Sequence, residues 1–109
     1  MTQAGPVSSA LAIDLVTDGR TWERWKVRVG VGSCLSLWAR GIPDGCEYSQ
    51  IFVLLDAAAL PAVFVEEVER GGLKQVNAMI PSGFDAGPVM IRLQCDTEIS
   101  EPAAIELIR

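Results

Sequence analysis

The 109-residue chain contains no histidine. A Ser-His-Asp triad and a Cys-His nucleophile pair are therefore both excluded. The side chain best suited to moving protons at neutral pH is missing as well. The three cysteines, Cys34, Cys46 and Cys95, form no CxxC pair. With neither that pair nor an imidazole, neither a metal centre nor a cofactor is expected. Cys34 and Cys95 have the wide separation of an antibody-type bridge, but Trp38 follows Cys34 too closely for the tryptophan of the next strand. Three free thiols are expected, with Cys95 packed as a small hydrophobe.

Long apolar runs are also missing. None approaches the ~18 residues of a membrane-crossing helix, so no membrane span is expected. Positive charge is in deficit, with 9 Lys and Arg against 14 Asp and Glu and a net charge of −5. Nucleic-acid binders need a basic face that displaces counterions. Arg20, Arg24, Lys26, Arg28 and Arg40 cluster in the first third, and they read as the polar side of a strand. The first residues lack the basic start and continuous apolar stretch of an export signal. Two locations stay open: cytoplasmic for a complete protein, and extracellular or cell-surface for an excised module.

The motifs that suggest chemistry are incomplete. Gly30-Val31-Gly32-Ser33 begins like a dinucleotide loop but lacks the third glycine and a following helix. It reads as a strand break. Glu66, Glu67 and Glu69 read as a charged edge that discourages strand pairing. Asp96, Glu98 and Glu101 lack the calcium-loop spacing. No catalytic constellation emerges, and no enzyme activity is expected.

What the sequence does contain is alternation with a period of two, which puts one face of a pleated strand on a core and the other in water. Trp25, Val27, Val29 and Val31 alternate with Lys26, Arg28 and Gly30. Leu35, Leu37 and Ala39 alternate with Ser36, Trp38 and Arg40. Tyr48 to Leu55 is almost continuously apolar, as in a strand covered on both faces. Ala57 to Leu60 has helical propensity that Pro61 cuts short. Ala62 to Val68 reads as a strand, and Gly71-Gly72 as a turn. Val76 and Ile80, then Val89, Ile91 and Leu93, then Ile105 and Leu107, share the apolar sides of three further runs. The fold class is therefore all-β. Seven to eight short strands split by Gly/Pro turns imply an antiparallel sandwich, with a closed barrel as competitor. Residues 1–10 are expected to be a flexible segment, and residues 11–109 a single domain.

Residues 35–108 resemble the immunoglobulin-like TIG/IPT domains, closest to the C-terminal TIG-like modules of secreted acidobacterial proteins. Leu35 to Pro43 is similar to the family's strand and turn, with Ala39 where glycine is usual. Ile51 to Val65 is similar to its strand, turn and strand, with Asp56-Ala57 in place of two glycines. Gln75-Val76-Asn77, Ile80-Pro81-Ser82-Gly83 and Ala86-Gly87-Pro88-Val89 match most closely. The resemblance implies an immunoglobulin-like sandwich with a structural, adhesive or binding role. The rival reading is a small cytoplasmic protein of the same fold that self-associates as a homo-oligomer.

Five positions read as structural. Pro81 presets a tight turn, and Gly83 and Gly87 can adopt positive φ. The amides of Gln75 and Asn77 are placed to pin the backbone of a neighbouring loop. Aromatic residues are scarce, yet Trp22, Trp25 and Trp38 are the best ligand-binding candidates. Exposed rings stack on sugars or anchor protein partners, so a glycan or a protein is the expected ligand.

Overall fold

The computed structural model describes residues 11–109, and the expected flexible segment 1–10 lies outside the described residues. Among the described residues, strand accounts for 57% and helix for 3%. The nine strands among the described residues are β1 (Ala12–Asp18), β2 (Lys26–Arg28), β3 (Cys34–Arg40), β4 (Ile51–Leu55), β5 (Ala58–Val65), β6 (Lys74–Met79), β7 (Gly87–Cys95), β8 (Glu98–Ile99) and β9 (Ala103–Ile108). Hydrogen-bonded neighbours run β1-β3-β6-β5-β4-β7-β9-β2, and β8 pairs with β7. Every pairing is antiparallel except β2 with β9, which is parallel.

The alternating apolar positions meet in one core. Leu35 and Leu37 of β3 face Ala78 and Val76 of β6. Ile51, Val53 and Leu55 of β4 face Cys95, Leu93 and Ile91 of β7. With Val16, Val27, Ile105 and Leu107 they are buried in a single cluster. The expected core positions Val76, Ile80, Ile91, Leu93, Ile105 and Leu107 are all buried, and Val89 packs half-buried against them.

β5 joins the two halves of the strand path. Its first residues, Ala58 to Pro61, pair with β4. Its last residues pair with β6, with an irregularity between Ala62 and Phe64 that leaves Val63 without a register partner. Pro61 stands where the strand changes partner, a position at which a missing N–H breaks no continuous ladder. The far ends of the path also meet. Trp25 N donates to Val16 O at 2.8 Å, and Thr17 bridges Arg24.

Three expected segments differ from the fold. The strand expected over Trp25 to Val31 is only Lys26–Arg28, because Trp25 takes φ 62° and Gly30 φ 145°; Val31 is 92% exposed. Tyr48–Gln50 is a 3-10 turn instead of the start of a strand. The strand after it buries alternate residues, leaving Phe52 and Leu54 half-buried. Ala58 to Leu60, read as weakly helical, belongs to β5, which ends at Val65 instead of Val68. Cross-strand pairing outweighs intrinsic preference there.

Candidate functional site

The site is built from Asp18, the last residue of β1. Its Oδ1 accepts from Arg20 N at 2.7 Å and Thr21 N at 2.9 Å, and its Oδ2 accepts from Arg28 N at 2.7 Å. Its main chain adds Asp18 N to Glu23 O at 2.9 Å and Trp22 N to Asp18 O at 3.1 Å. One carboxylate thus shapes the loop 19–24 and ties it to β2. Burial pushes this carboxyl up. The N–H donors of Arg28, Arg20 and Thr21, with the Arg28 charge, more than reverse that, so its pKa lies below the ordinary value. Gly19 lets the loop leave β1 closely against β3. A Cβ there would stand 2.5 Å from Cys34 Sγ and 3.2 Å from the Cys34 carbonyl.

This loop presents Trp22, and Trp25 follows it directly. Trp22 is 60% exposed and Trp25 38% exposed. Trp38 is half-buried on the polar side of β3. The rings of Trp22 and Trp38 lie 6.3 Å apart, centre to centre, tilted by 38°. Two of the three sequence-derived candidates are therefore brought together, and Trp25 joins β2 to its neighbours. Trp22 and Trp25 adopt φ 65° and 62°, unusual for bulky residues. Main-chain bonds hold both, including Glu106 N to Trp25 O at 3.0 Å.

The surface continues from Trp38 across β6. Gln75 stands opposite Trp38, and Asn77 stands opposite both Ser36 and Phe64. Among the described residues, the amides of Gln75 and Asn77 bond to each other: Gln75 Nε2 donates to Asn77 Oδ1 at 3.0 Å. The side-chain bond closing the β5–β6 connection comes from Glu66, whose Oε1 accepts from Gln75 N at 2.7 Å. Glu66 also pairs with Arg70 at 3.3 Å, so it is more than a solvated edge charge. In line with Ser36, Thr17 is buried, and its Oγ1 has no hydrogen-bond partner among the described residues. Phe64 is 44% exposed and borders a shallow groove of about 560 Å³ that Tyr48, Val63 and Val68 also line.

The remaining sequence candidates lie apart from this surface. Pro81 leads into the Ser82-Gly83 turn, where Gly83 takes φ 106°; Gly87 takes φ 141° at the start of β7. The first-third cations are partly paired, with Arg28 on Glu23 at 3.0 Å and Arg40 on Asp14 at 3.2 Å. Among the described residues, no three Cys, Asp or Glu side chains converge to hold a metal ion, and no helix is long and apolar enough to cross a membrane. Sequence reasoning missed Asp18 as an organising group. Its spacing from Arg20 and Thr21 suits an Asx turn, but nothing in the sequence signals the bond to Arg28. No family model matches the chain, and comparison with curated proteins gives no match.

Proposed function

We propose that the chain is a non-catalytic immunoglobulin-like module of the TIG/IPT kind, with a binding or adhesive role at the cell surface or within a larger secreted protein. The ligand it holds is a glycan, stacked on Trp22 and Trp38. The observation that carries this reading is the ring pair, with exposed Trp22 on a loop that Asp18 braces from within and half-buried Trp38 beside it on β3. Rings so fixed bury large area at small entropic cost. The strained backbone at Trp22 and Trp25 supports the same reading, because strain of this kind gathers at functional sites. Gln75 and Asn77 add polar groups on the same side of the sheet. For the architecture, the change of partner along β5 supports a sandwich of two sheets; the Val16–Trp25 bond is the feature favouring a nearly closed barrel.

Tryptophan emission during titration with cello- and chito-oligosaccharides tests the glycan reading. A saturable change that is lost in Trp22→Ala and Trp38→Ala is expected. Unchanged emission across the series, or a response that survives both substitutions, removes the glycan.

A second reading, self-association, is favoured by the exposed apolar group of Tyr48, Val63, Phe64 and Val68. Sedimentation equilibrium decides it: a monomer across the concentration range excludes it, and a dimer that Phe64→Glu dissociates supports it.

A further inference from the structure

Cys46 and Cys95 are 49 positions apart in the chain, yet they line one cleft of about 150 Å³ together with Gln50. The fold brings them there by hydrogen bonding of the main chain. Ile51 pairs with Cys95 across β4 and β7. One residue on, Asp96 N donates to Gln50 O at 2.9 Å. The segment before Gln50 is folded back by the 3-10 turn. Gln50 N donates to Glu47 O at 2.8 Å, and Glu47 N donates to Gln50 Oε1 at 3.0 Å. Cys46 N donates to Pro43 O at 3.0 Å, closing the preceding turn. Cys46 is thus held over the end of β7 and packs against the same core that buries Cys95.

We propose that Cys46 and Cys95 form a reversible redox site that closes to an intramolecular disulfide when the protein meets a peroxide. Cys34 takes no part, because it lies against Gly19 at the other end of β3. The two sulfurs have distinct roles. Cys46 is half-buried at the cleft and accessible, whereas Cys95 is 1% exposed. Burial first, and then the neighbouring Cys46, push the Cys95 thiol up to about 12. Cys95 therefore stays protonated at neutral pH and does not start the reaction, since the thiolate is the nucleophile.

Cys46 gives up its proton, and its sulfur attacks one oxygen of hydrogen peroxide. The O–O bond breaks, a sulfenic acid forms on Cys46, and the departing hydroxide takes the proton to leave as water. Cys95 sulfur then attacks Cys46 sulfur as its own proton passes to the sulfenic hydroxyl. The S–S bond forms and a second water leaves. Two thiols are oxidised by two electrons, and one peroxide is reduced to two waters. The product staples the loop 41–50 to β7. It shuts the cleft, and a dithiol reductant reopens it.

The test treats the whole protein with hydrogen peroxide and maps the unreduced proteolytic peptides by mass spectrometry. A Cys46–Cys95 crosslink is expected, with one thiol, Cys34, still titratable. Dithiothreitol should restore all three. Cys34→Ser should leave the crosslink in place. Cys46→Ser, at a half-exposed position that folding tolerates, should abolish it and leave Cys95 reduced. The thermal midpoint of the oxidised protein should rise by at least about 5 °C, as closing a long loop implies. Three intact thiols after oxidation, a sulfinic acid on Cys46 beside a reduced Cys95, or a crosslink through Cys34 or between two chains would each overturn the proposal.

Discussion

Asp18 is 2% exposed, and its carboxylate accepts from three main-chain N–H groups. Replacing Asp18 with Ala leaves those part-buried donors without this acceptor. A loss of about 1–3 kcal/mol in urea denaturation is expected, because three hydrogen bonds to a charged acceptor are removed and water can partly replace it at part-buried donors. The same residue links stability to pH. Its folded pKa is depressed, so the stability it contributes is fully present above its unfolded value, about 3.9, and is lost as pH falls through the lower folded value. Comparing unfolding at pH 7 and pH 3 should show a drop in the wild type that Asp18→Asn flattens. Equal slopes in both proteins would remove Asp18 as the source. Gly19 makes a second residue-level prediction. Gly19→Ala should destabilise by about 1–3 kcal/mol through overpacking against Cys34. Adding Cys34→Ala should recover part of that loss, since the thiol can be removed and the carbonyl cannot.

At the scale of elements, β4 and β7 pair inside the strand path, each with a neighbour on both sides, and Ile91 sits between Leu55 and Ala103 with no exposed surface. Ile91→Ala should cost about 2–5 kcal/mol, as transfer and cavity terms add; an unchanged denaturation midpoint would refute its place in the core. The β4–β5 hairpin shows how a turn without glycine is made to work. Asp56 takes φ 49°. Its N donates to Met90 O at 2.9 Å, while its side-chain Oδ1 accepts from Met90 N at 2.9 Å. The carboxylate therefore does what a strand carbonyl would do. In the β5–β6 hairpin, Gly71 and Gly72 take φ 60° and 81°, as a tight two-residue turn between twisted strands demands.

For the whole molecule, β9 lies between β7 and β2, and β2 reaches back to β1 through the chain at Trp25. Removing residues 103–109 should therefore unfold more than one edge. Loss of amide dispersion throughout the NMR spectrum is expected, and a truncated chain that keeps dispersed β1 and β3 resonances would contradict this cooperativity. Far-UV circular dichroism of the full chain should show helix well below the ~30% typical of globular proteins.

The sequence by itself determined the class of fold and most of the core. Alternation at Leu35, Leu37, Val76, Ile91, Leu93, Ile105 and Leu107 is local, because each side chain's face is set by its immediate neighbours on the pleat. Positive φ at Gly83 and Gly87 was legible for the same reason, as were Trp22, Trp25 and Trp38 as a small set of conspicuous rings. Tertiary structure decided what depends on pairs far apart in the chain. The meeting of Trp22 with Trp38 was one such outcome. Others were the bond from Asp18 to Arg28, the change of partner along β5, and the placing of Cys46 beside Cys95. The stretch at Ala58 to Leu60 marks the boundary. Its own preference is weakly helical, but β4 offers a complete ladder of partners. Satisfying those backbone groups outweighs a few tenths of a kcal/mol of propensity per residue.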